Sequence, residues 1–226
     1  MKQMQNSKKK KLKTYNIPNF KKNVKLFTEH YRKNLLNKAF SFQQRGENKS
    51  ASIIYKTLID NDCYNAGVLS NYAVTLQKQG KLEHAKKIYH ECIKLFPRHV
   101  EAYSNISLIY MQESDFEKAV KYIMKAIKLD PNDHELLLNL GYIYKLNNQI
   151  EKAKEATYRA IELNSEFKIS QNNLGIILIE SDKLNKAEIH LRKAISIDKD
   201  YADAYHNLGT LLFQQYRLKE AAIAYQ

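Results

Sequence analysis

A spacing of 34 residues recurs along most of this chain. Asparagine occupies residues 37, 71, 105, 139, 173 and 207, with no slip between successive copies. Small and apolar residues recur around each asparagine at fixed offsets. Self-similarity of this length is typical of stacked helix–turn–helix units, in which each unit packs on its neighbours. The sequence therefore predicts a repeat protein, with a core that extends along a line.

The repeating pattern is clearest in residues 100–133, where it predicts two helices. Asp130–Pro131 ends the second helix because proline cannot continue it. The apolar positions of the two helices are Tyr103, Ile106, Tyr110, Ala119, Ile123 and Ala126.

Three glycines lie inside predicted helices, each 34 residues from the next: Gly141, Gly175 and Gly209. A glycine in a helix costs about 1 kcal/mol relative to alanine, so its recurrence needs a packing reason. We expect the two helices of each unit to approach closely at these positions.

These residues resemble the tetratricopeptide repeat (TPR) family. The resemblance implies an all-α fold, a right-handed superhelical solenoid of antiparallel helix pairs, with a concave groove lined by the first helix of each pair. It covers residues 32–226 and divides them into a degenerate repeat (32–65), four full repeats (66–99, 100–133, 134–167 and 168–201) and a truncated repeat (202–226). Because the last repeat lacks its closing turn, we expect a longer native protein.

The positive charge is concentrated at the start of the chain. Residues 1–34 hold ten lysines, Arg32 and a single acid, Glu29, so they carry +10 of the net +13. We predict a basic disordered leader over residues 1–19 and a lead-in helix over 20–31. The leader has three open interpretations: a solubilising tail, a segment attracted to nucleic acid or membrane headgroups, or a nuclear signal in a eukaryotic host.

Other features of the sequence bear on the cellular location of the protein and on the kinds of partner it could bind. No apolar run is long enough to span a membrane, and no signal peptide begins the chain, so we expect a cytoplasmic protein. No aromatic platform accompanies the basic run, which argues against specific nucleic-acid recognition.

The recurring asparagines form the candidate binding site. An amide can pair with both the N–H and the C=O of an extended backbone, and it is cheaper to desolvate than a charge. The pattern is similar to the asparagine ladder of protein O-GlcNAc transferases. The alternative explanation for the recurring asparagines is inheritance within the family, since asparagine is frequent at this position in TPR repeats generally. The predicted groove residues are Asn71, Asn105, Asn139, Asn173, Asn207 and Tyr142, with Asn37 in the degenerate repeat a weaker candidate.

Two other modes of action find no support in the sequence. TPR co-chaperones hold acidic peptides with groove lysines and arginines, but the matching positions here include Leu36, Phe40 and Glu101. The seven histidines are dispersed, and no catalytic, metal or phosphate-binding motif is present. We therefore expect no enzyme activity, cofactor, metal or small-molecule substrate in this chain.

Two functions remain. The first is a scaffold that binds a peptide or helix of a protein partner in the concave groove. The alternative is the substrate-recruiting N-terminal part of a larger transferase-type enzyme, because bacterial TPR proteins with a Lys-rich leader and a degenerate first repeat resemble this chain.

Overall fold

The computed structural model describes residues 28–226, and this part of the chain holds twelve α-helices and no strand. In chain order they are α1 (Glu29–Gln44), α2 (Asn48–Asp60), α3 (Ala66–Lys78), α4 (Leu82–Leu95), α5 (Val100–Gln112), α6 (Phe116–Leu129), α7 (His134–Leu146), α8 (Ile150–Leu163), α9 (Lys168–Glu180), α10 (Leu184–Ile197), α11 (Ala202–Gln214) and α12 (Leu218–Ala224). The predicted leader lies outside the described residues. So does most of the lead-in helix, of which residues 29–31 form the first turn of α1.

The helices stack as six consecutive pairs, and we name the first helix of each pair helix A and the second helix B. Each helix B also packs on the helix A of the following pair. From α3 to α11, successive A helices touch one another directly. This arrangement confirms the predicted all-α solenoid of helix pairs and places the A helices side by side along one face.

The three glycines Gly141, Gly175 and Gly209 lie where the two helices of a pair approach most closely. A Cβ atom on Gly141 would lie 2.5 Å from Thr157 Oγ1, and one on Gly175 would lie 2.7 Å from Leu191 Cγ. On Gly209 it would lie 2.6 Å from the Tyr225 ring. Real Cβ atoms do not come this close to another heavy atom, so the expected close approach is confirmed.

The turn from helix A to helix B has the same backbone geometry in every repeat. At each of these turns one residue has positive φ, and successive ones are 34 residues apart: Gly46, Gly80, Ser114, Asn148, Asp182 and Tyr216. At each, two backbone hydrogen bonds close the end of helix A, as in Gly80 N–H to Gln77 O and Lys81 N–H to Leu76 O. This is the Schellman motif, in which the last helical carbonyls are satisfied by a left-handed residue. Tyr216 adopts this conformation without the freedom of glycine.

The N-terminus of α7 is closed by a side chain. Asp133 Oδ1 accepts hydrogen bonds from the backbone N–H groups of Glu135 (2.8 Å) and Leu136 (3.3 Å). We expect Asp133→Ala to lower the free energy of unfolding by about 1 kcal/mol, the usual cost of losing such a cap. Denaturant titration would measure it. Lys183 precedes α10 without a capping bond, so Lys183→Ala is the control, and an equal loss there would contradict the capping role.

Candidate functional site

The five predicted ladder asparagines occupy one register of the solenoid. Each is the sixth residue of its helix A, on α3, α5, α7, α9 and α11. All five side chains are partly exposed. Asn37 differs, because it is the ninth residue of α1 and is exposed. Because successive A helices touch, the five amides follow one another along a single face, which we call the groove.

Three of these amides meet in one open depression of about 510 Å³ between the last A helices. Asn139, Asn173 and Asn207 line it together with Tyr142, which is 43% exposed. Its other lining residues are Leu138, Ile169, Asn172, Ile176, Tyr201, Asp203 and His206. Asn71 and Asn105 lie outside this depression, in the same register on α3 and α5. The structure thus brings four of the six predicted residues into direct proximity.

Four polar residues of this depression were missed from the sequence, namely Asn172, Tyr201, Asp203 and His206, and the first of them contacts a ladder amide. Asn172 is 4% exposed, and its Oδ1 accepts a hydrogen bond from Asn207 Nδ2 at 2.9 Å. This bond joins α9 to α11 and fixes the orientation of the Asn207 amide. The signal was the Asn172–Asn173 doublet, which places a second amide one residue before the repeating one.

The two remaining ladder amides have tyrosine neighbours from the preceding helix B. Burial raises the pKa of the Tyr55 hydroxyl, and the Asn71 amide opposes this rise. Burial likewise raises the pKa of Tyr89, and Asn105 opposes it. Both hydroxyls therefore stay protonated at neutral pH. At this end of the groove the amides lie next to buried side chains of the solenoid core.

Carboxylates lie along the groove. Four positions before the ladder amide stand Glu101, Glu135 and Asp203, all exposed. Glu101 Oε2 lies 3.1 Å from His99 Nδ1, whereas Glu135 and Asp203 have no ion-pair partner among residues 28–226. The depression itself is lined by no lysine or arginine. Such a surface favours a neutral or basic ligand over an acidic one.

Across residues 28–226, no three His, Cys, Asp or Glu side chains come together in a way that could hold a metal ion. In the same range, no helix is long and apolar enough to cross a membrane.

Family models match along much of the solenoid. Tetratricopeptide repeat models match residues 66–99, 100–133 and 122–155, and a further TPR model matches residues 175–215. Together these matches span more than half of the chain. The chain therefore belongs to the tetratricopeptide repeat family. A search of curated protein sequences finds no match.

Solved structures with the same fold include several bacterial TPR proteins. MamA from Desulfovibrio magneticus RS-1 is 20% identical, with a TM-score of 0.65 over 75% of this chain and 96% of its own. YrrB is 22% identical, with a TM-score of 0.58 over 75% and 88%. PilF from Pseudomonas aeruginosa is 16% identical, with a TM-score of 0.74 over 87% and 89%. At these identities the similarity establishes the fold alone.

Proposed function

We propose that this protein is an interaction scaffold that binds an extended segment of a protein partner along its groove. Asn139, Asn173 and Asn207 would pair with the backbone of the segment, and Tyr142 and Ile176 would contact its side chains. The observation that carries the proposal is the depression in which these residues meet. An amide both donates and accepts, so it matches the alternating N–H and C=O groups of an extended chain.

The geometry of the groove supports this mode of binding. Successive A helices pack roughly 10 Å apart, and three residues of an extended chain span about the same distance. One ladder amide therefore meets every third residue of a bound segment. YrrB, which shares the fold, is described as a TPR protein with an unusual peptide-binding site. Backbone pairing would make the groove tolerant of partner sequence.

The test begins with random peptides displayed on phage and selected on the full chain. The best selected peptide is then titrated against the variant Asn139→Ala, Asn173→Ala, Asn207→Ala. We expect its affinity to fall about tenfold or more, because each lost amide removes hydrogen bonds worth about 0.5–1.5 kcal/mol apiece. Circular dichroism would verify that the variant remains helical.

A matched control removes three exposed amides that lie off the ladder register: Asn34, Asn132 and Asn185. Their replacement by alanine should leave the affinity unchanged. Equal affinities for the two triple variants would contradict binding by the ladder. Failure to select any peptide, both on the full chain and on a full-length variant with Lys2→Gln, Lys8→Gln and Lys11→Gln, would contradict peptide binding in the groove.

A further inference from the structure

We propose that the groove has an occupant within this chain: residues 1–19, bound as an extended segment along the A helices. The inference rests on the proposed function, which supplies the path of a bound segment along the groove. It adds which segment is bound, in which direction it runs and which of its residues meet the groove carboxylates. Its basis is charge complementarity. Residues 1–27 hold nine lysines and no acid, whereas the groove presents Glu101, Glu135 and Asp203.

The groove is a favourable place for a cationic segment on this solenoid. The net charge of the whole chain is +13, so residues 28–226 are themselves net positive without the nine lysines of residues 1–27. On helix B, acids are often held by lysines of the same helix, as Glu83 is by Lys86 and Glu151 by Lys154. Glu135 and Asp203 have no such partner in the described part of the chain. A lysine brought to them meets an available negative charge.

The spacing of the carboxylates sets a register. Glu101 and Glu135 are one repeat apart, and Glu135 and Asp203 are two repeats apart. In the extended polyproline II conformation three residues complete one turn and advance about 9 Å, so lysines that face the groove together should be separated by three and six residues. Lys11, Lys8 and Lys2 have these separations. The register therefore places Lys11 at Glu101, Lys8 at Glu135 and Lys2 at Asp203.

The covalent path of the chain permits this direction. The leader joins the solenoid at Thr28, at the start of α1, so it would run from the first repeat toward the last with Met1 farthest away. Five helix steps separate α1 from α11, roughly 40–50 Å at 8–10 Å per step. The nineteen leader residues reach about 60 Å when fully extended, and residues 20–27 add about 12 Å more as the predicted lead-in helix. The sixteen residues between Lys11 and Thr28 easily cover the two steps to α5.

The first test uses the full chain and a zero-length carbodiimide, which joins an amine to a carboxylate only at direct contact. At low protein concentration, mass spectrometry should find intramolecular cross-links of Lys11 to Glu101, Lys8 to Glu135 and Lys2 to Asp203. High salt should suppress them, because exposed charge pairs are screened. Two results would overturn the proposal. One is the absence of any cross-link in the groove, and the other is an even distribution of cross-links that includes the exposed helix B acids Glu117, Glu155 and Glu162.

A second test measures the register with a labelled synthetic peptide of residues 1–19. It is titrated by fluorescence anisotropy against two full-length variants that lose the same charge. One carries Lys2→Gln, Lys8→Gln and Lys11→Gln, which should free the groove, and the other carries Lys9→Gln, Lys10→Gln and Lys13→Gln. We expect about tenfold tighter binding to the first variant. Equal binding to both variants would overturn the register.

The two proposals fail in different ways. In one outcome, selected peptides bind through the ladder amides while no leader lysine cross-links to the groove. That result would refute the leader inference and would leave the scaffold function supported. In the converse outcome, the leader lysines cross-link to the groove while selected peptides bind equally well without the ladder amides. That result would refute peptide binding by the ladder amides.

Discussion

Replacing Gly141 by alanine should destabilise the solenoid by about 1–3 kcal/mol, the usual cost of overpacking a core. The added Cβ would lie 2.5 Å from Thr157 Oγ1 and 3.2 Å from the carbonyl oxygen of Ala153. The clash should outweigh the gain of about 1 kcal/mol that alanine normally brings to a helix. Urea unfolding followed by circular dichroism would measure the loss.

The same contact supplies a rescue experiment. Thr157→Ala removes the nearest clashing atom, so the loss caused by Gly141→Ala should be at least halved when both substitutions are present. Gly67 in α3 is the control, because the nearest atom to its added Cβ would be Asn65 Oδ1 at 3.4 Å. Gly67→Ala should be neutral or stabilising by up to about 1 kcal/mol. A similar gain from Gly141→Ala would show that helix A and helix B can separate freely.

Replacing Tyr216 by glycine should stabilise the last repeat by about 1 kcal/mol. Tyr216 has a φ of 59° and is 88% exposed, so its backbone is strained and its side chain contributes little packing. A left-handed conformation costs a bulky residue about 1–2 kcal/mol, and part of this gain is offset because glycine loses more entropy on folding. Thermal unfolding should show a raised midpoint.

The other turns supply graded controls for this prediction. Asn148 and Asp182 occupy the same position with φ values of 55° and 54°. Asparagine and aspartate tolerate this conformation well, so Asn148→Gly and Asp182→Gly should change stability by only a few tenths of a kcal/mol. If Tyr216→Gly raised the stability no more than these two variants do, strain at the turn would not limit the stability of the last repeat.

The repeat architecture was predictable because its signals are local and repeated. The 34-residue spacing placed the helix pairs, and Gly141, Gly175 and Gly209 indicated where the helices approach. The left-handed turn was not predicted, since Gly46 and Gly80 mark it in only two repeats. In the other four repeats the same backbone conformation is adopted by residues of four different types, Ser114, Asn148, Asp182 and Tyr216.

The candidate groove was predicted less completely than the fold. Periodicity placed the ladder amides on one register, but it treats all repeats alike. The depression forms only where Asn139, Asn173 and Asn207 lie among particular neighbours, such as Ile169 and Asn172. The bond between Asn172 and Asn207 depends on the distance between two helices that are 35 residues apart in sequence. Such a distance follows from packing, which a single sequence does not specify.

The five ladder amides share one position on successive helices, but their surroundings differ. Asn139, Asn173 and Asn207 line the depression, whereas Asn71 and Asn105 lie outside it. A segment that pairs with three consecutive amides would have three alignments on five, and only one of them places all three amides in the depression. We therefore expect a bound segment to be held in one preferred alignment at the C-terminal end of the solenoid, although the repeats look interchangeable in sequence.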